Sequence, residues 1–351
     1  MNSNSIKKNV NWKLWSGLFI SALFLYLALR QVDFEKTAEI ISSANIYYLM
    51  IAALICLIQF FIRAWRWRIL LNPIKETGFL NRFLSGLIGF AANCVLPARL
   101  GEFIRANSLG QVEKISKSSV FATIVVERLF DGFALLLILV LGLVYTVFPE
   151  KYLYISKILQ SSAIFLFFAY LLLITFIIGF KSRTDLFIKV IDKAFFFVSS
   201  KLRKKLTVII INFSRGFSPI KGLSSWSMLI FHSALLWSLA LFQIQFIESS
   251  IGVELPFIAT FIILSFVSIG VIIPSAPGFI GTFHLSAQVG FIIYSISSEE
   301  ALSAAILLHA SFFFPTIILG FFAFITVQSR FGKIDVKKMT ETATASMKNY
   351  K

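Results

Sequence analysis

The chain contains 351 residues, of which 58% are hydrophobic and 14% charged, and its mean hydropathy is +0.84. Soluble domains average roughly 45–50% apolar and about 25% charged residues, so this composition excludes an ordinary water-soluble protein. Apolar runs long enough to cross about 30 Å of hydrocarbon recur along the sequence. The formal net charge of +16 lies mostly between these runs, as the positive-inside rule expects, and we therefore expect no nucleic-acid partner.

The first apolar segment, 14–29, follows a short basic stretch with Lys7, Lys8 and Lys13. No small-residue cleavage site precedes the polar stretch that begins at Arg30, so we expect an uncleaved span rather than a removed signal peptide. The lysines predict a cytoplasmic N-terminus because positive charge stays on the cytoplasmic side.

The second predicted span, 46–62, returns to the cytoplasm. It follows the segment 30–45, whose acidic residues favour an external loop. Its inner end is the stretch "RAWRWR", in which tryptophans typical of the membrane interface alternate with Arg63, Arg66 and Arg68.

The loop 181–222 holds ten basic and two acidic residues and is therefore predicted to be cytoplasmic. An even number of crossings must connect the end of the second span to this loop. The sequence shows an odd number of strong apolar segments there, namely 79–96, 118–148 and 158–180. One of them must therefore turn back within the membrane.

We place that turn in the stretch "VLPARLGEFIR", with a helix break at Pro97. The arm that follows, 98–112, is too polar to face lipid, because it contains Arg99, Glu102, Arg105, Asn107 and Gln111. Polar backbone and side chains at membrane depth are tolerated where protein encloses them. The sequence thus predicts an enclosed helical hairpin over 79–112.

The second half repeats this order in the opposite orientation. A span at 225–246 leads outward, a segment at 257–296 is broken at "PSAPGFIGT" (274–282), and a span at 300–327 returns inward. Inverted repeats with broken helices are the architecture of many secondary transporters.

The predicted fold class is an all-α, polytopic integral membrane helical bundle with about six full spans and two re-entrant or broken helical hairpins in an inverted repeat. We assign 1–330 to a single transmembrane domain and 331–351 to a short basic cytoplasmic tail. Within the basic loop, apolar residues at helical spacing predict a helix on the inner leaflet; they are Phe187, Val190, Ile191, Ala194 and Val198. The alternative is a solvated charged connector.

Two groups of charged residues lie within or beside apolar segments. The first hairpin supplies Arg99, Glu102 and Arg105, and "VVERLFDG" supplies Glu127, Arg128 and Asp131. Charges at such depth are costly and are usually enclosed and paired. Since positive and negative charges balance, a closed ion-pair cluster that fastens the hairpin to the next helix is one interpretation. The other is a substrate site, in which arginines bind an anionic head group and the carboxylates orient them or carry a proton.

The second break, "PSAPGFIGTFH", has clearer backbone chemistry. Pro274 and Pro277 donate no backbone hydrogen bond, and Gly278 and Gly281 allow dihedral angles closed to other residues. Thr282 is the predicted N-cap of the returning arm. Free N–H groups at that half-helix start, and at the start of the arm after the first break, would form an anion site. The alternative is an ordinary Pro–Gly turn between two full spans.

We expect no metal site and no cofactor. The three histidines, His232, His284 and His309, lie in apolar surroundings without further ligands at metal-binding spacing. Cys56 and Cys94 lie in apolar runs and indicate no disulfide or thiolate site. His284 is expected to pack between helices or to relay a proton.

Three motifs, "NCVLPARLGEFIRANSLG", "ATIVVERLFDG" and "PSAPGFIGTFH", resemble those of the bacterial and archaeal family of lysylphosphatidylglycerol-synthase transmembrane regions, also called flippase-like proteins. The resemblance covers roughly 12–330 in matching order. It implies that this region moves or handles envelope lipids. The matching positions are Pro97, Arg99, Gly101, Glu102 and Arg105; Glu127, Arg128 and Asp131; and Pro274, Pro277, Gly278 and Gly281.

Two departures from the family pattern limit what the resemblance implies. Many relatives have a glutamate where this chain has His284, which removes the basis for an acid–base role there. Synthase members carry a large soluble C-terminal domain, whereas only a short segment follows the last span here. Synthase activity is therefore not expected.

The sequence as a whole favours a transporter or flippase of a prokaryotic cytoplasmic membrane, with both termini cytoplasmic. Its expected substrate is an anionic phospholipid or a polyprenyl-linked lipid. Arginines and half-helix N-termini would hold the head group near mid-membrane, with coupling to protons or another cation. The alternative is a membrane-embedded transferase that acts on a polyprenyl phosphate or a phospholipid, although no nucleotide-binding loop is present.

Overall fold

A computed structural model describes residues 3–96, 100–148, 153–182 and 222–331. The helix predicted at 187–198 lies outside these ranges, and so does the tail after residue 331. The described chain is built from helices, which in chain order are α1 (Ser3–Leu29), α2 (Phe34–Ser43), α3 (Ile46–Leu71), α4 (Phe79–Val95), α5 (Gly101–Val112), α6 (Lys117–Tyr145), α7 (Leu153–Ser182), α8 (Leu223–Ser250), α9 (Ala259–Ile272), a 3-10 turn (Pro277–Phe279), α10 (Thr282–Ile292) and α11 (Ser298–Phe331).

The helix lengths confirm the predicted all-α membrane bundle. Among the described helices, α3, α8 and α11 are long and apolar enough to cross a membrane, and the bent pair α1–α2 adds a fourth if it forms one span. Helices α6 and α7 contain 29 and 30 residues. At about 1.5 Å per residue each is longer than a hydrocarbon core of about 30 Å.

Two pairs of shorter helices form the predicted hairpins, α4 with α5 and α9 with α10. Helices α5, α9 and α10 have 12, 14 and 11 residues. At about 1.5 Å per residue none of these three arms reaches across about 30 Å. The arms of each pair therefore pack on one another within the bundle.

The packing of the helices follows the inverted repeat. One unit contains α3, α4, α5 and α6, and the other contains α8, α9, α10 and α11. Exchanging the units maps each main contact among these eight helices onto another: α3 packs on α8, the α4–α11 contact matches α9–α6, and α5–α6 matches α10–α11. The last helix of each unit therefore packs on the first hairpin arm of the other unit, α11 on α4 and α6 on α9.

The predicted external loop 30–45 contains a helix that the sequence analysis missed. Helix α2 leaves α1 at an angle of 86°, and the Asp33 carboxylate caps it by accepting from the backbone N–H groups of Glu35 and Lys36. The Ser303 hydroxyl donates to the Thr37 carbonyl oxygen at 3.4 Å, which joins α2 to α11. Ten residues are too few for a reliable periodic signal.

Glu113 fixes the end of the first hairpin at which α4 begins and α5 ends. Its carboxylate accepts from the Gly78 backbone N–H at 2.9 Å and from the Asn81 side chain at 2.8 Å, and the Lys75 ammonium lies 3.4 Å away. Burial raises the pKa of this carboxyl, but these hydrogen bonds and the lysine outweigh burial and hold the pKa below its ordinary value. The carboxylate thus links the start of α4 to the end of α5.

Helix α1 crosses the second break at close range. The Ser21 hydroxyl accepts from the Ala276 backbone N–H at 2.7 Å. Gly281 has a φ of +87° and faces the Ser21 carbonyl oxygen so closely that a Cβ would overlap it. Glycine is required here because both the dihedral angle and the contact exclude a side chain.

We expect Gly281→Ala to destabilise the fold by about 1–3 kcal/mol, since it adds left-handed strain to a steric overlap. The measurement is the midpoint of thermal unfolding of the purified protein in detergent. Gly252→Ala is the matched control, because Gly252 has a φ of +73° but open space around a Cβ. Equal midpoints for the two variants would refute the predicted close contact with α1.

Candidate functional site

Arg66 lies at the centre of a buried charged cluster. Its side chain has no exposed surface and lies 2.6 Å from Asp131 and 3.2 Å from Glu127. The same guanidinium donates to the Ser233 hydroxyl at 3.2 Å. One side chain of α3 therefore binds both α6 and α8.

Arg105 fastens the first hairpin to α6. Its two terminal nitrogens donate to the two carboxylate oxygens of Glu127, at 3.2 and 2.9 Å. Its guanidinium carbon lies 3.8 Å from the centre of the Trp67 ring, and the Trp67 indole N–H donates to Thr123. This bidentate, stacked arrangement suits arginine in particular, since a lysine ammonium offers neither planarity nor a fork of donors.

Arg128 and Arg63 form the outer edge of the cluster. Arg128 lies 3.2 Å from Glu102 on α5 and 3.3 Å from Asp131, and about a third of its side chain is exposed. Arg63 lies 4.0 Å from Asp131 and 5.2 Å from the centre of the Phe90 ring. Of the four arginines, Arg63 therefore lies farthest from its nearest carboxylate oxygen.

The balance of charge differs from the sequence prediction. Among the described residues the cluster contains four arginines and three carboxylates, which leaves one net positive charge. Arg66 and Arg63 supply the two charges that the prediction lacked, while Arg99 lies outside the described residues. The sequence analysis had assigned Arg63 and Arg66 to the cytoplasmic end of a span, whereas α3 continues to Leu71 and its packing against α6 and α8 buries Arg66.

The missed arginines had a sequence signal. The apolar run ends at Ile62, but the helical spacing of large apolar residues continues through Phe60 and Trp67 to Leu71. Arg63 and Arg66 are three residues apart and share a helix face. A periodicity that continues past the apolar run indicates an enclosed helix rather than a loop.

A cavity of about 280 Å³ lies beside this outer edge, where the two hairpins and the spans α3, α8 and α11 meet. Its charged and polar end is formed by Arg63, Asn93, Glu102 and Arg128. Arg66, Arg105, Glu127 and Asp131 are not among the lining residues. The cluster is thus divided into an inner set that holds helices together and an outer set that faces open space.

The opposite walls of the cavity are mostly apolar. Phe279 and Phe283 come from the second hairpin and Phe312 from α11. A polar strip crosses them, because the Gln59 side chain donates to Gln243 and Gln243 donates to the Ser311 hydroxyl. Other lining residues include Trp237, whose indole nitrogen has no hydrogen-bond partner in the described chain, and both cysteines, Cys56 and Cys94.

The second break is held by α1 and α11. Pro277 starts the 3-10 turn, and Gly278 within it has a φ of +77°. The Gly278 carbonyl oxygen lies 2.8 Å from His309 Nε2. The His309 ring lies 4.8 Å from the His284 ring, whose Nδ1 is buried without a hydrogen-bond partner in the described chain.

Thr282 is not the N-cap that the sequence predicted. Helix α10 begins at Thr282, and its N-cap is Gly281, which has no side chain to cap with. The Thr282 hydroxyl donates instead to the Phe279 carbonyl oxygen at 3.3 Å.

The remaining predicted positions lie at the two breaks. Gly101 starts α5, and its N–H donates to the Asn93 side chain at 2.8 Å. Pro97 and Arg99 lie outside the described residues. Pro274 lies between α9 and the 3-10 turn, where the chain is not helical. Gly278, Gly281, Thr282 and His284 flank the wall formed by Phe279 and Phe283 but do not line the cavity.

Fold and site together define a polytopic helical membrane protein with an enclosed charged cluster and a cavity between two broken hairpins. Residues 14–320 match the sequence model of the lysylphosphatidylglycerol synthase TM region. The chain belongs to this family.

Two curated relatives extend over almost the whole chain. The UPF0104 membrane protein MJ1595 of Methanocaldococcus jannaschii is 28% identical, over 92% of this chain and 96% of the relative. The UPF0104 membrane protein PH1989 of Pyrococcus horikoshii is 26% identical, over 86% and 94%. A shorter match, 30% identical over 120 residues, is to the glycosyltransferase AglD of Haloferax volcanii and covers 33% of this chain and 19% of that protein.

We expect Arg66→Ala to destabilise the protein by about 3–5 kcal/mol, because it leaves two buried carboxylates short of a partner. The measurement is the yield of folded protein and its midpoint of thermal unfolding. Arg68→Ala is the matched control on the same helix, since Arg68 pairs with Glu76 at the surface and such pairs contribute about 1 kcal/mol or less. Similar effects of the two substitutions would contradict the structural role of Arg66.

Proposed function

We propose that this protein is a flippase-type transporter that moves a lipid with an anionic head group across the cytoplasmic membrane. The observation that carries the proposal is the cavity between the two hairpins, which has apolar walls and arginines at one end. A head group that carries a phosphate needs cationic donors, and its passage needs shelter from the hydrocarbon. A lipid-handling role of the family supports the same substrate class.

Arg63 and Arg128 are the proposed phosphate-binding residues. Both line the cavity, and both keep part of their side chains exposed. Arg63 is held by a single carboxylate contact of 4.0 Å, so its donors are available to a ligand. Guanidinium groups bind phosphate oxygens through paired hydrogen bonds, which a single ammonium does not reproduce.

The inner ion pairs have a positioning role in this proposal. Arg66, Arg105, Glu127 and Asp131 fix α3, α5 and α6, and thereby set the positions of the two outer arginines. Glu102 belongs to the outer set, because it contacts Arg128 and lines the cavity. An arriving phosphate would compete with Glu102 for Arg128, and proton uptake by the released carboxylate is the proposed coupling step.

The cavity suits a head group rather than a whole lipid. Its volume of about 280 Å³ lies just below that of ligand pockets, which span about 300–1,000 Å³. The acyl or polyprenyl chains would therefore remain in the bilayer. Direct substrate contacts by Gly278, Gly281, Thr282 and His284 stay predictions that require a conformation in which the second hairpin opens.

Translocation is tested with purified protein in proteoliposomes. These contain either a fluorescently labelled phosphatidylglycerol or a fluorescently labelled polyprenyl phosphate. Dithionite quenching reports the fluorescent lipid that reaches the outer leaflet. We expect Arg63→Gln and Arg128→Gln to slow translocation about tenfold or more, because each removes a charged hydrogen bond worth about 1.5–3 kcal/mol. Arg68→Gln, which removes an exposed arginine of α3, should translocate at the wild-type rate.

The two cysteines provide a separate test of binding. Because Cys56 and Cys94 line the cavity, an anionic lipid bound there should slow their alkylation by a small permeant maleimide. A zwitterionic lipid should protect them less. Absence of translocation for every anionic lipid, together with absence of thiol protection, would refute the proposal.

We also propose that both termini face the cytoplasm, as the distribution of basic residues predicts. A cysteine that replaces Glu254, which is exposed between α8 and α9, should react with an impermeant maleimide added to intact cells. A cysteine that replaces Glu76, exposed between α3 and α4, should react only after the membrane is opened. The reverse labelling pattern would show that both termini face the outside.

A second candidate is a membrane-embedded transferase, favoured by the partial match to a protein named as a glycosyltransferase. The same arginines would bind a lipid phosphate, and Glu102 is the cavity-lining carboxylate that could serve as a base. Formation of a new lipid product by the purified protein, when supplied with a polyprenyl phosphate and an activated sugar, would favour this function. Translocation without product would exclude it in favour of transport.

A further inference from the structure

Glu248 is a buried carboxyl group that neither of the proposed functions uses. The predicted span 225–246 ends before it, but α8 continues to Ser250 and leaves the Glu248 side chain without exposed surface. Its Oε2 accepts from the Gln245 side chain at 3.2 Å, whereas its Oε1 is buried without a hydrogen-bond partner in the described chain. The two carboxyl oxygens therefore share one neutral donor among the described side chains.

No positive charge compensates Glu248 among the described residues. Glu127 and Asp131, the buried carboxylates of the charged cluster, lie within 3.2 Å of an arginine nitrogen, whereas Glu248 forms no ion pair there. Its neighbours along α8 are apolar, and Ile244 and Ile247 are fully buried. An ionised carboxylate is so costly to bury without a partner that such a group binds a proton instead.

The end of the helix adds to this cost. Glu248 lies in the last turn of α8, where its backbone carbonyl oxygen accepts from the N–H groups of Ile251 and Val253, at 3.2 and 3.1 Å. The C-terminal end of a helix carries a partial negative charge, which disfavours a carboxylate beside it. Burial and the helix dipole therefore both favour the protonated side chain.

The other ionisable groups at this end of the bundle do not offset that preference. Tyr294, in the link between α10 and α11, is close enough to interact electrostatically with Glu248, but its hydroxyl is hydrogen-bonded to Thr146 at 2.9 Å. Helix α9 contains no ionisable residue. The ionisable groups of the other neighbouring helices at this end are tyrosines and glutamates, namely Tyr47 and Tyr48 of α3, Tyr145 of α6, and Glu299 and Glu300 of α11. The described basic residues at this end are exposed, namely Arg30, Lys36 and Lys157.

Hydrogen bonds close the bundle around Glu248. The Asn45 backbone N–H donates to the Ser250 carbonyl oxygen at 2.7 Å, which joins the start of α3 to the end of α8. The Thr146–Tyr294 contact joins the end of α6 to the link between α10 and α11. Because Glu248 has no exposed surface, water reaches it only when such contacts part. Loss of a proton from this group is therefore tied to separation of the helix ends.

We propose that Glu248 is a proton-binding site, which carries its proton in the conformation described and releases it when the helix ends around it separate. A metal ion suits the position less well, because hard cations take six or more oxygen ligands and the described side chain that contacts Glu248 is an N–H donor. Glu248 is not among the residues that line the lipid cavity. The site therefore does not depend on whether the protein moves lipids or transfers a group to them.

The test compares wild-type protein with Glu248→Gln, which imitates the protonated side chain. Thermal unfolding of the purified full-length proteins is measured in detergent from about pH 5 to about pH 8. A carboxyl group that keeps its proton in the folded chain but ionises in the unfolded chain favours unfolding more with each pH unit above about 4.3, the ordinary pKa of glutamate. We expect the wild-type midpoint to fall relative to that of Glu248→Gln by about 2 °C per pH unit. A difference between the two midpoints that is the same at every pH would overturn the proposal.

Glu254→Gln is the matched control, since Glu254 is exposed in the loop that follows α8. Its midpoint should differ from that of the wild type by the same amount at every pH. Glu248→Met, which places an apolar side chain of similar size there, should reproduce the pH-dependent difference and replaces Glu248→Gln if that variant does not fold. The result should be unchanged when choline replaces sodium in the buffer. A difference that requires sodium would assign the site to a metal ion and overturn the proton site.

Discussion

The fold depends on one constraint, the cost of placing charge inside a membrane bundle. Arg66 has no exposed surface, and its position is possible only because Glu127 and Asp131 lie within 3.2 and 2.6 Å of it. These contacts require α3, α6 and α8 to meet, and the Arg105–Glu127 pair requires the first hairpin to lie against α6. A buried charge whose partner is removed is strongly destabilising, so the ion pairs fix the arrangement of one whole repeat.

The same constraint separates two kinds of arginine. Arg66 and Arg105 bind carboxylates with short, buried contacts, and their donors are largely used in holding helices. Arg63 and Arg128 lie at the edge, where the excess of positive charge meets the larger cavity. The proposed lipid site arises from this excess, because a cluster with more arginines than carboxylates attracts an acceptor from outside.

The two hairpins share a topology but differ in chemistry. The first is held by ion pairs, with Arg105 and Glu102 contacting α6. The second contains no charged residue between Phe257 and Ile296 and is held by backbone contacts, through Ser21 to Ala276 and His309 to Gly278. The two repeats therefore pack in the same way although their side chains differ. The ion pairs that hold a hairpin in place occur in the first repeat.

The sequence by itself determined the class, the number and order of the long helices, and both hairpins. Apolar run lengths report the cost of exposing backbone to lipid, and loop charges constrain which side each end occupies. It also identified Arg105, Glu127 and Asp131, since charge in an apolar run is conspicuous. The apolar spacing past Ile62 indicates that α3 continues, but it could not determine that carboxylates enclose Arg66, because an arginine at the end of an apolar run is equally suited to water or to a buried carboxylate. Only the packing of α6 and α8 against α3 decided that, as it decided which arginines line a cavity.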